Sequence, residues 1–209
     1  MANASRVQPR AWVIIMLLAS QCLFVSQAQS ANESYQLLKK PLAIKPFMLS
    51  NQDGEPFDLD ALKNHWSMIF IGFTTCPDVC PVTLANLEAV RAEMSLRVSP
   101  KRIPRIIFLA VDPARDRPVL KEYLAYFHPE YIGLSGAVDQ IDSLIKSLNA
   151  FYRLDKLGPD DDDYDVLHTA FVSIINPQGQ MVAKLSPPFY PHKTAESLNQ
   201  LIRGVKFDD

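Results

Sequence analysis

The sequence predicts an α/β fold with a central mixed sheet flanked by helices, and three observations lead to this prediction. Two almost continuous apolar runs, at residues 67–73 and 106–111, are typical of strands buried on both faces. Apolar residues at helical spacing follow each run, and alternating strands and helices indicate parallel strands at the centre. A hairpin and a final helix close the order. A βαβ half followed by a ββα half is the thioredoxin-like architecture.

The first half of the domain is predicted to contain a hairpin, the first buried strand and a long helix. A short apolar strand at residues 46–50 precedes the turn-forming residues 51–54, and residues 57–59 form the return strand. After the buried strand, apolar residues recur every three or four positions, which predicts an amphipathic helix over residues 82–97. The apolar side chains of this helix are Leu84, Leu87, Val90, Met94 and Val98.

The second buried strand leads into a loop and two predicted helices. Residues 112–116 are predicted to form the loop. Asp116 is predicted to cap a helix over residues 119–127, which has Pro118 in its first turn. A second amphipathic pattern predicts another helix over residues 138–150. The order to this point is therefore strand, helix, strand, helix and helix.

The last part of the domain is predicted to contain a short strand at residues 151–154, an acidic loop, a hairpin and a helix. The loop at residues 159–165 contains four consecutive aspartates, which is typical of a solvated surface. A strand at residues 170–175 and its return strand at residues 181–185 are joined by a turn that contains proline and glycine. A helix over residues 192–204 completes the order of elements.

Size and charge limit the possible functions. The chain has 209 residues, which suits one ordinary domain with an appendage, and 48% of them are hydrophobic, which is enough for a buried core. The 23 acidic residues nearly balance the 21 basic residues, and the sequence contains no long basic run. Binding to a phosphate backbone requires a concentrated positive surface, so we expect no nucleic-acid partner.

The N-terminal residues have the pattern of a targeting segment. Arg6 and Arg10 precede an apolar run at residues 11–25, and the small residues Ser26 and Ala28 follow it. A basic start, an apolar centre and small residues at the end are typical of a secretory signal peptide. An uncleaved membrane anchor is the alternative, although the run is short for a span, which needs about 20 apolar residues.

Three segments follow from these patterns. Residues 1–28 are predicted to be either a signal peptide or an N-terminal membrane anchor. Residues 29–45 are polar and mixed without a strong period, which predicts a linker between the membrane and the domain. The folded domain is predicted over residues 46–209. Both alternatives for the first segment place this domain outside the cytoplasm, because the basic residues Arg6 and Arg10 stay on the cytoplasmic side of the membrane.

Two cysteines lie where the first buried strand gives way to a helix. Cys76 and Cys80 are four residues apart in the segment TTCPDVCP at residues 74–81. Side chains at this spacing share one face of a helical turn, about 5–6 Å apart, so both sulfurs can reach one metal ion or close a disulfide. A helix N-terminus stabilises thiolates, which predicts lowered cysteine pKa values. Thiol–disulfide enzymes usually have two residues between their cysteines, and the three residues here favour a metal site.

His168 is the candidate third ligand of this metal site. It precedes the strand predicted at residues 170–175, and the loop before such a strand commonly faces the cysteine-bearing helix in this architecture. Two thiolates and one imidazole form a soft set of few donors, which suits Cu(I). Zn(II) would require a fourth ligand or a water molecule. Because a histidine in this position can also be an ordinary residue beside a strand, its assignment depends mainly on a family resemblance.

Three motifs in the same order make the chain similar to the Sco family, also called SenC proteins. The first is Ile-Gly-Phe-Thr with Cys-Pro-Asp-Val-Cys-Pro, the second is Val-Asp-Pro-Ala-Arg-Asp at residues 111–116, and the third is His-Thr before a strand. The resemblance extends over residues 47–207 and implies a thioredoxin-like fold. It also implies that copper binds to Cys76, Cys80 and His168. The donor set makes Cu(I) the expected ion, with Cu(II) as an additional state.

The resemblance further implies a function in respiratory oxidase assembly. Sco proteins lie at the outer face of a bacterial or mitochondrial inner membrane. They deliver copper to the CuA site of cytochrome c oxidase subunit II, or keep the cysteines of that site reduced. We therefore expect a metallochaperone in the periplasm, on the periplasmic face of the inner membrane, or in the intermembrane space of mitochondria. Its expected partners are subunit II or another periplasmic copper protein, and the membrane if the N-terminal anchor is uncleaved.

Two other functions remain open, and the sequence departs from the family pattern before the ligand histidine and at Thr75, where some members have histidine or serine. As a thiol–disulfide reductase, the chain would cycle Cys76 and Cys80 between dithiol and disulfide. A peroxidase fits less well, because those enzymes use a single peroxidatic cysteine in a loop rich in proline and threonine. Sco proteins usually have aspartate before the ligand histidine, whereas this chain has Leu167. A carboxylate that would orient the imidazole is then missing, unless Asp165 or the aspartate loop replaces it.

Overall fold

An eight-stranded mixed sheet forms the centre of the fold. The computed structural model describes residues 35–156, 158 and 164–204. A smaller sheet pairs β7 (Tyr152–Asp155) with β8 (Asp165–His168). The strands of the large sheet in chain order are β1 (Tyr35–Ala43), β2 (Met48–Asn51), β3 (Pro56–Asp58), β4 (Ser67–Gly72), β5 (Arg105–Ala110), β6 (Ile132–Ser135), β9 (Val172–Ile175) and β10 (Gln180–Leu185).

The spatial order of the large sheet is β1-β10-β9-β4-β5-β6-β2-β3. Strands β4, β5 and β6 run parallel, whereas β9 is antiparallel to β4 and pairs with β10 on its other side. Every residue of β4 is buried, as expected for a parallel strand that is covered on both faces. A βαβ unit joined to a hairpin and a last helix is the thioredoxin-like arrangement. The predicted fold class is therefore confirmed.

The helices within the described ranges surround this sheet. The longest of them, α2, follows β4 and packs against α6 and α4. Four of its five predicted apolar side chains are buried in the helix, and the fifth, Val98, lies just beyond its end. The helices are α1 (Leu59–Leu62), α2 (Val79–Ser95), α3 (Pro113–Asp116), α4 (Leu120–Phe127), α5 (Val138–Ser147) and α6 (Pro191–Gly204).

The prediction of a linker over residues 29–45 is wrong for the part that forms β1, an edge strand of the sheet. β1 pairs antiparallel with β10, and Tyr35 lies opposite Leu185. The register shifts between Leu37 and Leu42, so the half-buried side chains of β1 do not alternate regularly with exposed ones. Without a period of two, the segment carries no clear strand signal in the sequence. The folded domain therefore begins earlier than predicted, with β1.

Two further strands differ from the sequence prediction. β6 adds a third parallel strand beside β5, where no strand was predicted. Its centre is Gly133, and a Cβ there would lie 2.6 Å from Leu124 and 2.7 Å from Leu120 of α4. Glycine thus permits α4 to pack closely on β6, at the cost of a weak strand signal. His168 is the last residue of β8 in the smaller sheet, rather than a loop residue.

The predicted signal peptide or anchor at residues 1–28 lies outside the described residues, as does most of the acidic loop. Among the residues that the structure does describe, no helix combines the length and the apolar character needed to cross a bilayer. The long helix begins at Val79, three residues earlier than predicted, and therefore includes the second motif cysteine. Part of the predicted loop after β5 forms the single turn of α3.

Candidate metal and thiol site

The cysteine segment connects the carboxyl end of β4 to the N-terminus of α2. Gly72 ends the strand, and a tight turn follows in which the Cys76 N–H donates a hydrogen bond to the Phe73 carbonyl oxygen at 3.3 Å. The helix begins at Val79, so Cys80 is its second residue. The first N–H groups of a helix have no partner within the helix and carry partial positive charge. Both sulfurs therefore lie at the positive end of α2.

Both motif cysteines are free thiols, and they differ in exposure. The Cys80 side chain is completely buried, whereas Cys76 is partly exposed. The Cys76 Sγ accepts a hydrogen bond from the Cys80 N–H at 3.4 Å, which holds this sulfur over the first turn of the helix. The pair therefore shares one helical turn, as the four-residue spacing predicts. A reagent in solution reaches Cys76 before it reaches Cys80.

Burial reverses the predicted pKa shift at Cys80. Removal from water raises the pKa of the Cys80 thiol strongly, because a thiolate at this position would be poorly solvated. A hydrogen bond with the Phe73 backbone lowers that pKa but does not offset the burial, and the neighbouring Cys76 and Asp116 raise it further. The prediction of a lowered pKa, which considered only the helix N-terminus, is wrong for Cys80. The Cys80 thiol is therefore protonated at neutral pH.

The fold brings His168 into contact with Cys80. Its Nε2 atom lies 3.6 Å from the Cys80 Sγ, although 88 positions separate the two residues. The other ring nitrogen, Nδ1, lies 3.0 Å from the carbonyl oxygen of Thr169. Because a carbonyl oxygen only accepts hydrogen bonds, Nδ1 carries the proton and Nε2 turns its lone pair toward the sulfur. A metal-ligating histidine requires a tautomer that is fixed in this way.

Two phenylalanine rings enclose the imidazole. The edge-on neighbours are Phe70, with 6.0 Å between ring centroids, and Phe73, with 5.9 Å. Burial lowers the pKa of His168, and the hydrogen bond with the Thr169 carbonyl only partly offsets this effect. His168 is therefore neutral at pH 7, which is the protonation state that can donate a lone pair to a metal.

The structure thus places the three predicted site residues at one end of the sheet, and they differ in how closely they contact one another. Cys80 and His168 are in direct contact, and Cys76 is adjacent to Cys80 on the solvent side. In the part of the chain that the structure describes, no three His, Cys, Asp or Glu side chains already surround a common metal position. Cys80 and His168 are already paired, whereas Cys76 lies beside them and does not complete a set of three.

Leu167 does not leave the imidazole without an orienting partner. Its side chain is exposed, so a carboxylate at this position would point toward solvent. The partner of His168 Nδ1 is the backbone carbonyl of Thr169, which accepts the same proton that an aspartate would accept. Asp165 begins β8 and pairs with Asp155, three residues away from the histidine. The backbone, rather than Asp165, therefore supplies the interaction that the sequence suggested was missing.

Sequence reasoning missed the buried carboxyl group of Asp116. The prediction that Asp116 caps α4 is wrong, because Val119 occupies the cap position without a side-chain hydrogen bond. Asp116 Oδ1 accepts hydrogen bonds from the Thr74 N–H at 2.6 Å and the Thr74 hydroxyl at 2.8 Å, and Oδ2 accepts from the Asp112 N–H at 2.9 Å. Burial raises the pKa of Asp116, although these donors favour its carboxylate. Asp116 thus ties the segment before Cys76 to the loop after β5.

The second motif of the resemblance, Val-Asp-Pro-Ala-Arg-Asp, ends in Asp116. It was the one feature of the sequence that could have drawn attention to this carboxyl group. The motif also contains Asp112. Asp112 does not cap α3 with its side chain. Its Oδ2 accepts hydrogen bonds from the Tyr164 hydroxyl at 2.6 Å and from the Arg115 Nε atom. Asp112 therefore holds Tyr164 and Arg115 beside the site and contacts none of the three predicted ligands in these hydrogen bonds.

We expect Gly72→Ala to destabilise the domain by about 1–3 kcal/mol, the usual cost of an overpacked core. An added Cβ would lie 2.6 Å from Phe108 Cε2 and 2.8 Å from Cys80 Sγ, so the ring and the thiol would have to move. Thermal unfolding measures the effect. Gly204→Ala is the control, because a Cβ there meets nothing within 4 Å. Equal unfolding temperatures for the two variants would show that the contacts around Gly72 yield without cost.

Comparison with known proteins identifies the family. A sequence model described as SCO1/SenC matches residues 36–203, which includes the cysteine segment and His168. The chain belongs to the SCO1/SenC family. This Sco-family match begins within β1, which agrees with the observation that β1 is part of the domain. It also agrees with the order of motifs on which the sequence resemblance was based.

Relatives and solved structures of the Sco family cover most of the chain. The mitochondrial SCO2 protein of Saccharomyces cerevisiae is 36% identical over 160 residues, 76% of this chain and 52% of that protein. The chain therefore spans about half the length of this relative. A SCO2-like protein of Rickettsia prowazekii is 35% identical over 163 residues, 76% of this chain and 75% of that protein. The structure of Bradyrhizobium japonicum ScoI with copper bound has a TM-score of 0.66 and 32% identity, covering 76% of this chain and 98% of that chain.

Proposed function

We propose that this Sco-family chain binds one copper ion through Cys76, Cys80 and His168, and delivers it to the CuA site of cytochrome c oxidase subunit II. The observation that carries the proposal is the contact of 3.6 Å between His168 Nε2 and Cys80 Sγ. This contact brings together two soft donors that are far apart in the sequence, and Cys76 lies next to Cys80. The related ScoI structure, which holds copper, supports the choice of metal.

The donor set favours Cu(I). Thiolate sulfur and imidazole nitrogen are soft or borderline ligands, and Cu(I) accepts few of them, whereas Zn(II) in proteins usually takes four. The neutral imidazole of His168 already presents its Nε2 lone pair. The Cys80 thiol is buried and protonated, so binding of a cation there releases its proton. Cu(II) is proposed as an additional state of the same site.

The unequal exposure of the two sulfurs suggests the order of transfer. Cys76 is partly exposed, whereas Cys80 is completely buried. A thiolate of the recipient can therefore replace Cys76 first, and Cys80 and His168 would release the ion last. Stepwise exchange of this kind keeps the copper ligated throughout. The proposed recipient is subunit II or another periplasmic copper protein with exposed cysteines.

A second candidate function is reduction of the recipient's cysteines before copper is inserted. The contact between the Cys76 sulfur and the Cys80 N–H supports it, because the thiols share one helical turn. Cys76 would attack a disulfide of the recipient, and Cys80 would then displace the recipient's thiol. The recipient gains two thiols while Cys76 and Cys80 become a disulfide. His168 has no required part in this exchange.

The proposed location is the periplasm or the periplasmic face of the inner membrane, or the intermembrane space of mitochondria. A relative with 36% identity, the SCO2 protein of Saccharomyces cerevisiae, is named as mitochondrial. The basic and apolar pattern of residues 1–28 supports export or anchoring in the same way. Residues 46–209, extended by β1, form the proposed copper-binding domain outside the cytoplasm.

Anaerobic titration with Cu(I) against a competing chelator tests the proposal. We expect one tightly bound ion in the wild-type chain and a loss of more than about 100-fold in affinity for His168→Ala. Replacing groups that only support a ligand already costs about 10–100-fold. Thiol–disulfide exchange with a small disulfide should survive in the same variant. His192→Ala removes an exposed histidine of α6 and serves as the matched control.

Three results distinguish the alternatives. Unchanged Cu(I) affinity in His168→Ala would contradict the three-ligand site. Loss of thiol exchange in His168→Ala would contradict a reductase in which the histidine has no part. A loss of affinity for His192→Ala equal to that for His168→Ala would show that the titration measures copper held nonspecifically on the surface.

A further inference from the structure

We propose that Tyr164 is a positioning residue, which holds the histidine-bearing strand β8 against the loop after β5 and so keeps His168 over the cysteines. The inference rests on the proposed copper site and assigns to that site a residue outside its ligand set. Its basis is a continuous chain of contacts from Tyr164 through Asp112 and Asp116 to Thr74. These contacts link the two parts of the chain that carry the ligands.

The first link is the hydrogen bond between Tyr164 and Asp112. The phenol donates to Asp112 Oδ2 at 2.6 Å, and both side chains are buried. Burial and the hydrogen bond to Asp112 raise the pKa of Tyr164 to about 12, so the phenol remains a donor throughout the physiological range. Tyr164 directly precedes β8, and His168 is the last residue of that strand. The link therefore fixes the chain four residues before the histidine.

Arg115 and Lys156 reinforce this first link. The Arg115 guanidinium carbon lies 3.7 Å from the centroid of the Tyr164 ring, and its Nη1 atom donates to the Tyr164 carbonyl oxygen at 3.2 Å. The Arg115 Nε atom also donates to the same carboxyl oxygen of Asp112. The Lys156 ammonium lies 4.1 Å from the ring centroid. Cations are attracted to the face of an aromatic ring, so the ring of Tyr164 is held as well as its hydroxyl.

The second link runs from Asp112 to the cysteine segment. The Asp112 N–H donates to Asp116 Oδ2 at 2.9 Å, and the Asp116 N–H donates to the Asp112 carbonyl oxygen at 2.8 Å. Asp116 Oδ1 in turn accepts from the N–H and the hydroxyl of Thr74, two residues before Cys76. Asp112, the residue before α3, thus holds Tyr164, and Asp116, the last residue of α3, holds Thr74.

The strand β8 needs such support because it belongs to a small sheet. β8 has four residues and pairs with β7 in a sheet of two strands, separate from the sheet that carries β4. A two-stranded sheet is only marginally stable by itself. The end of β8 near His168 is held by Thr169, whose N–H donates to the Phe151 carbonyl oxygen at 3.1 Å. Tyr164 holds the other end. Leu167, next to His168, has an exposed apolar side chain and adds no hydrogen bond to this support.

The variant Tyr164→Phe tests the positioning role. It removes one hydroxyl group and keeps the ring between its neighbours. We expect Cu(I) affinity to fall by about 10-fold or more, in the range found when groups that orient a metal ligand are replaced. The loss should disappear when His168 is already alanine, because the positioned ligand is then absent. Thiol–disulfide exchange by Cys76 should be unchanged. In the metal-free protein, the nuclear Overhauser effect between the rings of His168 and Phe73 should weaken.

Tyr131→Phe is the matched control. It also removes a buried phenolic hydroxyl, whose acceptors are the Leu84 carbonyl and Glu88 Oε2, both at 3.3 Å and further along α2 than Cys80. We expect this variant to lose stability and to keep its Cu(I) affinity. An equal loss of Cu(I) affinity in Tyr131→Phe would show that general destabilisation explains the loss in Tyr164→Phe. That result would overturn the positioning role.

The outcomes separate this inference from the proposed function. If His168→Ala binds Cu(I) like the wild type, the copper site itself fails. If His168→Ala loses affinity while Tyr164→Phe keeps it, the copper site stands and the positioning role is overturned. The role is also overturned if Tyr164→Phe weakens binding to the same extent in the wild-type and His168→Ala backgrounds, because its effect would then not pass through the histidine.

Discussion

The Cys80→Ser variant is expected to lose more than about 100-fold in Cu(I) affinity, beyond the range for residues that only support a ligand. Cys80 lies between the other two proposed ligands, in contact with His168 Nε2 and adjacent to Cys76. Serine keeps the size of the side chain but offers a hard oxygen, which Cu(I) binds poorly. The measurement is an anaerobic competition titration with a Cu(I) chelator, together with a count of bound copper per chain.

Cys22→Ser in the full chain is the control for this experiment. It removes the third cysteine of the sequence, which lies outside the motif, so in the chain that keeps residues 1–28 the total thiol content changes by the same amount. We expect this variant to bind one copper ion with wild-type affinity. If Cys80→Ser retained tight binding, the buried thiol would have no part in the site and the ion would have to be held at the surface. Circular dichroism of both variants checks that the fold is kept.

The Asp116→Ala variant is expected to lower the free energy of unfolding by about 3 kcal/mol. The carboxyl group is buried and accepts hydrogen bonds from Thr74 and Asp112. Removal of the acceptor leaves the buried Asp112 N–H and the partly buried Thr74 N–H without this partner, and each unsatisfied buried group costs about 1–3 kcal/mol. Some of this cost is offset because the carboxyl group itself is no longer buried. Denaturant unfolding of the metal-free protein gives the value directly.

Asp60→Ala controls for the loss of an aspartate. Asp60 lies on the surface and pairs with Lys63 at 2.6 Å, an exposed ion pair of the kind that contributes about 0–1 kcal/mol. We expect little change in unfolding for this variant. A small change for Asp116→Ala as well would mean that water replaces the lost hydrogen bonds, and the loop after β5 would then tolerate rearrangement. The difference between the two variants is therefore the informative quantity.

The sequence predicted the central part of the fold because its signals are local. The buried strands appear as unbroken apolar runs, and α2 appears as a helical period. The cysteine pair was recognisable because its spacing is read within one turn of helix. The contribution of His168 was proposed mainly through the order of family motifs, since nothing in local spacing brings it within 3.6 Å of Cys80.

The rest of the site could not be predicted, because it depends on burial and on contacts distant in sequence. The raised pKa of Cys80 results from complete removal from water, which the helix N-terminus alone does not reveal. The hydrogen bonds between Asp116 and Thr74 join residues 42 positions apart, and a capping role for the aspartate was equally consistent with the sequence. The strand β1 was hidden by a register shift that removes its alternation.

The position of β1 also determines which end of the domain lies next to the preceding chain. The first residue of β1, Tyr35, lies opposite Leu185, the last residue of β10. β10 and β4 point in the same direction because each is antiparallel to β9. The chain therefore enters the sheet at the end where Cys76 follows β4. The first residue of the domain and the two motif thiols therefore lie at the same end of the sheet.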